Sequence, residues 1–114
     1  MGNNFKKQLA GELEKVLSEV FEHSVLIKCE YTGNGLLCDF DLPKPITPDV
    51  FKLIEAKMRE RESPCSYELS GFSGAYLNGD ASQKMLQRIH VTAFESEEEL
   101  AAFKAYMQAA SEHD

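Results

Sequence analysis

The stretch SVLIKCEYTGNGLLCDFDL, residues 24–42, decides how this chain folds. Apolar and polar residues alternate over 24–31 and again over 36–42, which is the period of a half-buried β-strand. The TGNG segment at 32–35 separates the two runs, and Asn and Gly tolerate the positive φ angles of a tight turn. The pattern therefore predicts a β-hairpin. The residues expected on its core face are Val25, Ile27, Cys29 and Tyr31, then Leu36, Cys38, Phe40 and Leu42.

Three amphipathic helices are predicted around this hairpin. The first begins at Asn3 or Asn4, and its apolar residues recur with a period close to 3.6. The second begins at TPD, 47–49, which combines a capping hydroxyl, a proline in the first turn and an acid near the positive helix end. The third begins at the SEEE capping box, 96–99. The apolar stripes are Phe5, Leu9, Leu13, Val16, Leu17 and Val20; Val50, Phe51, Ile54 and Met58; and Leu100, Phe103, Met107 and Ala110.

Two further strands complete the predicted fold. Residues 67–72 form a weaker candidate interrupted by Gly71, residues 74–83 are rich in turn formers, and residues 84–94 alternate like a long strand. The face expected to be buried on that strand carries Met85, Gln87, Ile89, Val91 and Ala93. The order α-β-β-α-β-β-α predicts an α+β domain, residues 1–114, with a small antiparallel or mixed sheet and three helices packed on one face.

Charge and hydropathy exclude several classes of protein. The net charge is −7, and Lys and Arg are not clustered, so the chain is not expected to bind RNA tightly by itself or to bind DNA. No apolar run reaches the ~18–20 residues of a membrane span, and the N-terminus lacks an apolar signal region. These features predict a cytoplasmic protein without a membrane partner.

Few residues are arranged for catalysis or for metal binding. Cys29 and Cys38 are expected in the core as reduced thiols, whereas Cys65 follows a proline in a loop. The three histidines, His23, His90 and His113, are widely separated, so we expect no metal site and no cofactor. Asp39 and Asp41 share the outer face of their strand, where a solvated surface explains them more simply than acid–base catalysis.

A longer block carries a family resemblance. Residues 73–80 read SGAYLNGD, and KMLQRI at 84–89 and TAF at 92–94 follow. This block resembles a signature of threonyl-tRNA synthetases, in which a GAYWxGD turn leads into KMLQRIYGTAF. The sequence departs from that signature at Leu77, His90 and Val91, where the family has Trp, Tyr and Gly. The similarity extends in the family's order over most of residues 20–110.

The resemblance implies a shortened editing-region domain, the second additional (SAD) domain of these synthetases. The family's editing site uses an HxxxH pair on the first helix, and the positions matching that pair are Lys7 and Gly11. Its second Cys and His lie in an insertion after the second helix, and here residues 61–65 bridge that gap directly. None of the four editing residues is therefore carried over.

By this resemblance the chain is a non-catalytic module of tRNA aminoacylation. It is expected either as the N-terminal portion of a compact synthetase, which would use ATP to ligate threonine to its tRNA, or as a separate paralogue. The expected partners are a synthetase catalytic core, in the same or a separate chain, and weakly the tRNA acceptor arm. The candidate residues for a tRNA or domain contact are Tyr76, Asp80, Lys84 and Arg88.

Two other functions are kept open. One is a free-standing deacylase of mischarged tRNA with a site rebuilt from Cys65, His90 or Asp39. The other is a protein-interaction adaptor that docks through the acidic residues 97–99.

Overall fold

The predicted hairpin forms one side of a four-stranded sheet. A computed structural model, which describes residues 4–63, 65–76 and 85–111, places β1 at Val25–Thr32 and β2 at Gly35–Asp41, paired antiparallel. β2 is the better buried strand, because its core face lies between β1 and β4 under the helices. At Gly35 the β2 backbone approaches β4 so closely that an added Cβ would lie 1.9 Å from the Val91 carbonyl oxygen. Only glycine fits there.

The other two strands complete the sheet in the order β1-β2-β4-β3. β4 covers Met85–Phe94 and pairs antiparallel with β2 and with β3, which covers Ser66–Tyr76. β3 is longer than predicted: residues 74–76, expected in a turn-rich segment, pair with β4 instead. The pairing with β4 stabilises this extension, and the register shift between Leu69 and Gly71 accommodates the glycine as an irregularity within one strand.

Two helices cover one face of the sheet. α1 covers Asn4–Val20 and α2 covers Pro48–Arg59, whose N-cap is Thr47. The Val50 amide donates to the Thr47 hydroxyl at 3.2 Å, which confirms the predicted cap. The apolar stripes of both helices enter one core with β2, β3 and β4. Its buried members are Leu9, Ala10, Leu13, Val16, Leu17, Phe21, Leu36, Cys38, Phe40, Leu42, Ile46, Ile54, Met58, Leu69, Ile89, Val91 and Ala93.

α3, Glu97–Ser111, lies differently from the other two helices. Its capping box is confirmed, because the Glu99 amide donates to the Ser96 hydroxyl at 3.2 Å. It contacts Phe94, through a ring centroid distance of 5.4 Å to Phe103, and Glu68, through an ion pair with Lys104. The strand register places Phe94 and Glu68 on the face opposite α1 and α2. The expected packing on one face therefore holds for α1 and α2, whereas α3 lies against the other face.

The burial pattern of β1 corrects one prediction. Val25 and Ile27 were expected on the core face, yet they are 53% and 45% exposed. A register shift between Leu26 and Lys28 inserts Ile27 as an extra residue, so that Leu26 and Cys29 both face the core cluster. Simple alternation cannot reveal such a bulge, because one added residue exchanges the two faces of everything that precedes it. The predicted class, α+β with the order α-β-β-α-β-β-α and an antiparallel sheet, is confirmed.

Candidate functional site

A groove runs beside α1 at the position where the resemblance places an editing site. We call it the α1 groove; its volume is about 540 Å³ and its described lining residues are Gln8, Gly11, Glu12, Lys15, Glu62 and Ser63. α1 supplies four of them, because positions 8, 11, 12 and 15 lie on one side of a helix. The connection that follows α2 supplies the other two. The groove is therefore built from the first helix and from the segment that replaces the family's insertion.

The two α1 positions that match the family's histidine pair have lost imidazole but not space. Lys7 is exposed and Gly11 is half-buried at the groove. A Cβ added at Gly11 would meet no atom within 4 Å. The absence of a histidine side chain at this position is thus a property of the sequence rather than a consequence of crowding.

Ion pairs across the α1 groove occupy its carboxylate. Glu12 accepts from the Arg61 guanidinium at 2.9 Å and lies 3.4 Å from the Lys15 ammonium. The hydrogen bond from Arg61 lowers the pKa of Glu12 below its ordinary range. Arg61 also lies 3.5 Å from Glu19, so it joins α1 to the end of α2. A carboxylate held ionised in this way is a structural anchor and a poor general base, because a base needs a pKa near the working pH.

Cys65 lies at the end of the segment that bridges α2 and β3. Ser63 fixes this turn: its hydroxyl donates to the Cys65 carbonyl at 2.6 Å and accepts from the Cys65 amide at 3.2 Å. The Cys65 side chain is half-buried against the core cluster, and burial raises the pKa of its thiol. A thiol with a raised pKa is less nucleophilic at neutral pH than an exposed cysteine.

A second groove lies close by, between α2 and the start of β3. Its volume is about 420 Å³, and it carries two basic and two acidic residues in mixed order. The described lining residues are Glu55, Arg59, Arg61, Ser63, Tyr67, Glu68 and Leu69. Opposite charges at this spacing do not select an anionic or a cationic ligand.

The polar face of the sheet carries the strongest charged contact of the described residues. Asp39 of β2 and Arg88 of β4 are paired in the strand register, and two hydrogen bonds of 2.7 and 3.1 Å join the guanidinium to the carboxylate. The Asp39 carboxylate is nearly buried, with 8% of its side chain exposed, whereas 31% of Arg88 is exposed. The hydrogen bond with Asp39 raises the pKa of Arg88. This geometry is that of a bidentate structural ion pair.

His90 lies on the same face, two residues along β4. Its Nε2 atom is 3.0 Å from the Ser73 hydroxyl of β3, and its carbonyl accepts from Ser70 at 3.1 Å. Neighbouring strands therefore occupy both the ring and the backbone of His90. The predicted grouping of His90 with Arg88 and Thr92 on one face is confirmed by the register.

The residues weighed for a rebuilt deacylase site do not come together. Cys65 packs against the core cluster beneath α1 and α2, whereas Asp39 and His90 lie on the opposite face of the sheet. The sheet itself separates the thiol from both other groups. Among the residues that the structure describes, no group of three His, Cys, Asp or Glu side chains is close enough to hold a metal ion.

The four predicted contact residues are placed only in part. Arg88 lies on the polar face of the sheet, and Tyr76 is the last residue of β3, opposite Met85 in the register. Asp80 and Lys84 lie outside the described residues.

Two buried polar residues escaped the sequence analysis. Lys6 is 7% exposed, and its ammonium donates to the Thr32 carbonyl at 2.5 Å, so it ties α1 to the hairpin turn. Gln87 is 8% exposed and accepts from the Ile46 amide at 3.2 Å, which holds the loop before α2 against β4. A glutamine on an otherwise apolar strand face was a usable signal, because a buried amide needs a partner. Lys6 has no comparable signal in the sequence.

The fold and its grooves define a class: a small α+β domain with an antiparallel β1-β2-β4-β3 sheet and ion-paired surfaces. No family model matches the chain. Its similarity is to threonine–tRNA ligases. It is 30% identical to that of Geobacillus sp. (strain WCH70) and 44% identical to that of Anoxybacillus flavithermus (strain DSM 21510 / WK1), over 96% of this chain in both.

A plant relative matches a shorter part of the chain. The chloroplastic/mitochondrial threonine–tRNA ligase 2 of Arabidopsis thaliana is 47% identical over 47 residues, 41% of this chain and 7% of the ligase. The chain spans only 18% of the length of the two bacterial ligases. Its relatives are thus threonine–tRNA ligases, and it corresponds to a domain-sized portion of them. In the described part of the chain, no helix is long and apolar enough to cross a membrane.

Proposed function

We propose that this chain is a non-catalytic, editing-domain-like module of threonyl-tRNA synthetase that serves tRNA aminoacylation in the cytoplasm, with residues 1–114 acting as one domain. The observation that carries the proposal is the similarity of 96% of the chain to threonine–tRNA ligases, combined with Lys7 and Gly11 at the positions that match the editing histidines. The scaffold is retained where the reaction centre has been replaced.

The α1 groove supports the non-catalytic part of this proposal. Hydrolysis of a mischarged ester needs groups that position a water and stabilise the developing charge. In the described lining of the groove, Glu12 is neutralised by Arg61 and Lys15, and Gly11 contributes only backbone. The groups that remain hold helices together.

The same reasoning assigns a structural role to the polar sheet face. Arg88 donates two hydrogen bonds to a nearly buried carboxylate, so breaking them to reach a phosphate would leave Asp39 buried without its counter-ion. We therefore propose that Arg88 holds the β2–β4 unit. Tyr76, Asp80 and Lys84 remain proposed contacts to a domain or to the tRNA acceptor arm.

The surface of α3 supports docking on a synthetase catalytic core, in the same or a separate chain. Tyr106 and Met107 are 69% and 50% exposed, and residues 97–99 are exposed acids at the start of the helix. Exposed large apolar side chains beside charges are typical of an interaction surface. We propose α3 as the element that contacts the core.

A deacylation assay tests the absence of catalysis. The purified chain is incubated with threonine tRNA that has been mischarged with serine, and an editing-competent synthetase of the family is the positive control. We expect serine to be released at the rate of buffer alone. Faster release, abolished by Cys65→Ser, His90→Ala or Asp39→Asn, would replace this proposal with the rebuilt deacylase.

A binding measurement tests the proposed partner separately. A threonyl-tRNA synthetase catalytic core is titrated into the isotope-labelled chain, and amide shifts are followed by NMR. We expect shifts concentrated on α3, which the exposed double variant Tyr106→Ser/Met107→Ser weakens. Leu53→Ser, at an equally exposed apolar residue of α2, is the matched control. No shift on α3 would contradict the docking role and leave the deacylation result unaffected.

A further inference from the structure

Two cysteine side chains meet across the hairpin on its core face. Cys29 and Cys38 are directly opposite each other in the β1–β2 register, and both are free thiols. Their sulfur atoms are 3.4 Å apart. The sequence analysis placed both cysteines in the core but treated each one separately, because alternation gives the face of a residue and not its partner across the ladder.

The backbone already satisfies the requirements of a disulfide. Directly opposite residues in an antiparallel pair have Cα atoms about 4.5 or about 5.5 Å apart, and disulfides occur at roughly 4.4–6.8 Å. The two sulfurs would need to approach by only about 1.3 Å from their present contact to reach bonding distance. Side-chain rotation provides such a movement without a change of strand register.

We propose that Cys29 and Cys38 form a reversible oxidation site, which closes to a cross-strand disulfide when the chain meets a peroxide. The Cys29 thiolate attacks one peroxide oxygen, the O–O bond breaks, and hydroxide leaves, giving a sulfenic acid on Cys29. The Cys38 sulfur then attacks the Cys29 sulfur; the S–O bond breaks, and the Cys38 proton leaves with the oxygen as water. The two thiols are oxidised, the peroxide is reduced, and a dithiol reductant restores both thiols.

The two cysteines differ in a way that suits these two roles. Cys29 is half-buried, so a small oxidant reaches it, whereas Cys38 is fully buried. The hydrogen bond from Cys38 lowers the pKa of Cys29, and the same contact together with burial raises the pKa of Cys38. Cys29 is therefore the attacking thiol and Cys38 the resolving thiol. Cys65 differs from this pair, since it starts at β3 against the core and burial raises its pKa.

This oxidation site goes beyond the proposed function and does not rest on it. The disulfide would join an edge strand to the centre of the sheet, since β1 pairs only with β2. The bulged, partly exposed β1 would then be held to β2 by a covalent bond in addition to its ladder.

Thiol counting on the chain with Cys65→Ser tests the proposal, because that variant keeps only Cys29 and Cys38. The protein is treated with hydrogen peroxide, catalase removes the excess, and the unfolded protein is labelled with N-ethylmaleimide for intact mass spectrometry. We expect two labels before oxidation, and none afterwards, on a monomer lighter by two hydrogen atoms. Dithiothreitol should restore both labels, and the yield should be independent of protein concentration.

Three results would overturn the proposal: two labels retained after peroxide, mass gains from sulfinic acid in place of the loss of hydrogen, or disulfide-linked dimers. The wild-type chain gives an independent check, in which Cys65 should keep its label while the other two thiols are lost. The added change Cys38→Ala should abolish the monomeric disulfide. Should this variant fail to fold, peptide mapping of the oxidised wild-type chain decides, since a Cys29–Cys38 cross-linked peptide is required.

Discussion

The ion pair between Asp39 and Arg88 shows how single residues carry the stability of the polar sheet face. Two hydrogen bonds satisfy a carboxylate that is almost removed from water. Removing the guanidinium would leave that carboxylate buried without a counter-ion, which costs more than the loss of an exposed pair.

Arg88→Met should therefore destabilise the protein. We expect the free energy of unfolding to fall by about 1–3 kcal/mol at neutral pH, the lower part of the range reflecting the solvent access of Arg88. Urea denaturation followed by circular dichroism measures the loss. Lys104→Met is the control, because its pair with Glu68 is 56% and 47% exposed and should contribute no more than about 0.5 kcal/mol. Equal losses for both variants would contradict the structural role of Arg88.

Glu12 predicts a pH dependence with a defined sign. Its hydrogen bond from Arg61 lowers the folded-state pKa below the ordinary value of 4.5. The stabilisation by this pair is therefore complete above that ordinary pKa and is lost as the pH falls through the folded pKa. We expect Glu12→Gln to lower the urea midpoint at about pH 6 and to leave it close to that of the wild type at about pH 3. Glu14→Gln, an exposed change on the same helix, is the control; a constant Glu12→Gln difference across this pH range would refute the assignment.

At the level of the element, the bulge in β1 decides which side chains the strand buries. Because Ile27 is the extra residue, Leu26 lies opposite the buried Phe40, and Val25 lies opposite Asp41. Leu26→Lys should cost at least about 1.5 kcal/mol, because it places an ammonium against the core cluster. Val25→Lys, at the neighbouring exposed position, should change the stability by no more than about 0.5 kcal/mol. The reverse ranking in thermal or urea denaturation would mean that the predicted simple alternation is right and the bulge is wrong.

The first helix carries a removable weakness at its centre. Gly11 lies inside α1 with open space where a Cβ would be. Gly11→Ala should raise the free energy of unfolding by about 0.5–1 kcal/mol, since alanine reduces the entropy of the unfolded chain and clashes with nothing. Ala10→Gly, at the buried neighbour, should lower it by a similar or larger amount. A destabilised Gly11→Ala variant would show that the α1 groove needs the glycine for close backbone approach.

The charge of the whole molecule sets the strength of any contact with tRNA. The net charge of −7 opposes a polyanion, and Arg88 is already paired with Asp39. We expect the isolated chain to bind threonine-specific tRNA with a Kd above about 0.1 mM at physiological salt, measured by NMR titration. A neutral-salt series supplies the control, because any weak phosphate contact should fade as salt rises. Micromolar binding confined to the polar sheet face would contradict the structural role proposed for Arg88.

Packing across the sheet decided several features that no local pattern contained. The register shift in β1, the burial of Lys6 against Thr32 and the meeting of Cys29 with Cys38 all depend on which strand or helix becomes a neighbour. The position of α3 depends on the contact of Phe103 with Phe94, on a face that the sequence analysis left to solvent.

The sequence by itself determined the elements and their order, because the capping residue Thr47, the capping box at Ser96 and the turn at 32–35 act through their nearest neighbours along the chain. It also carried the resemblance to threonyl-tRNA synthetases, which the relatives support at the level of the domain. Only the tertiary structure decided how faces and side chains pair. Pairing brings together residues distant along the chain, and a single inserted residue such as Ile27 exchanges the faces on which every local prediction depends.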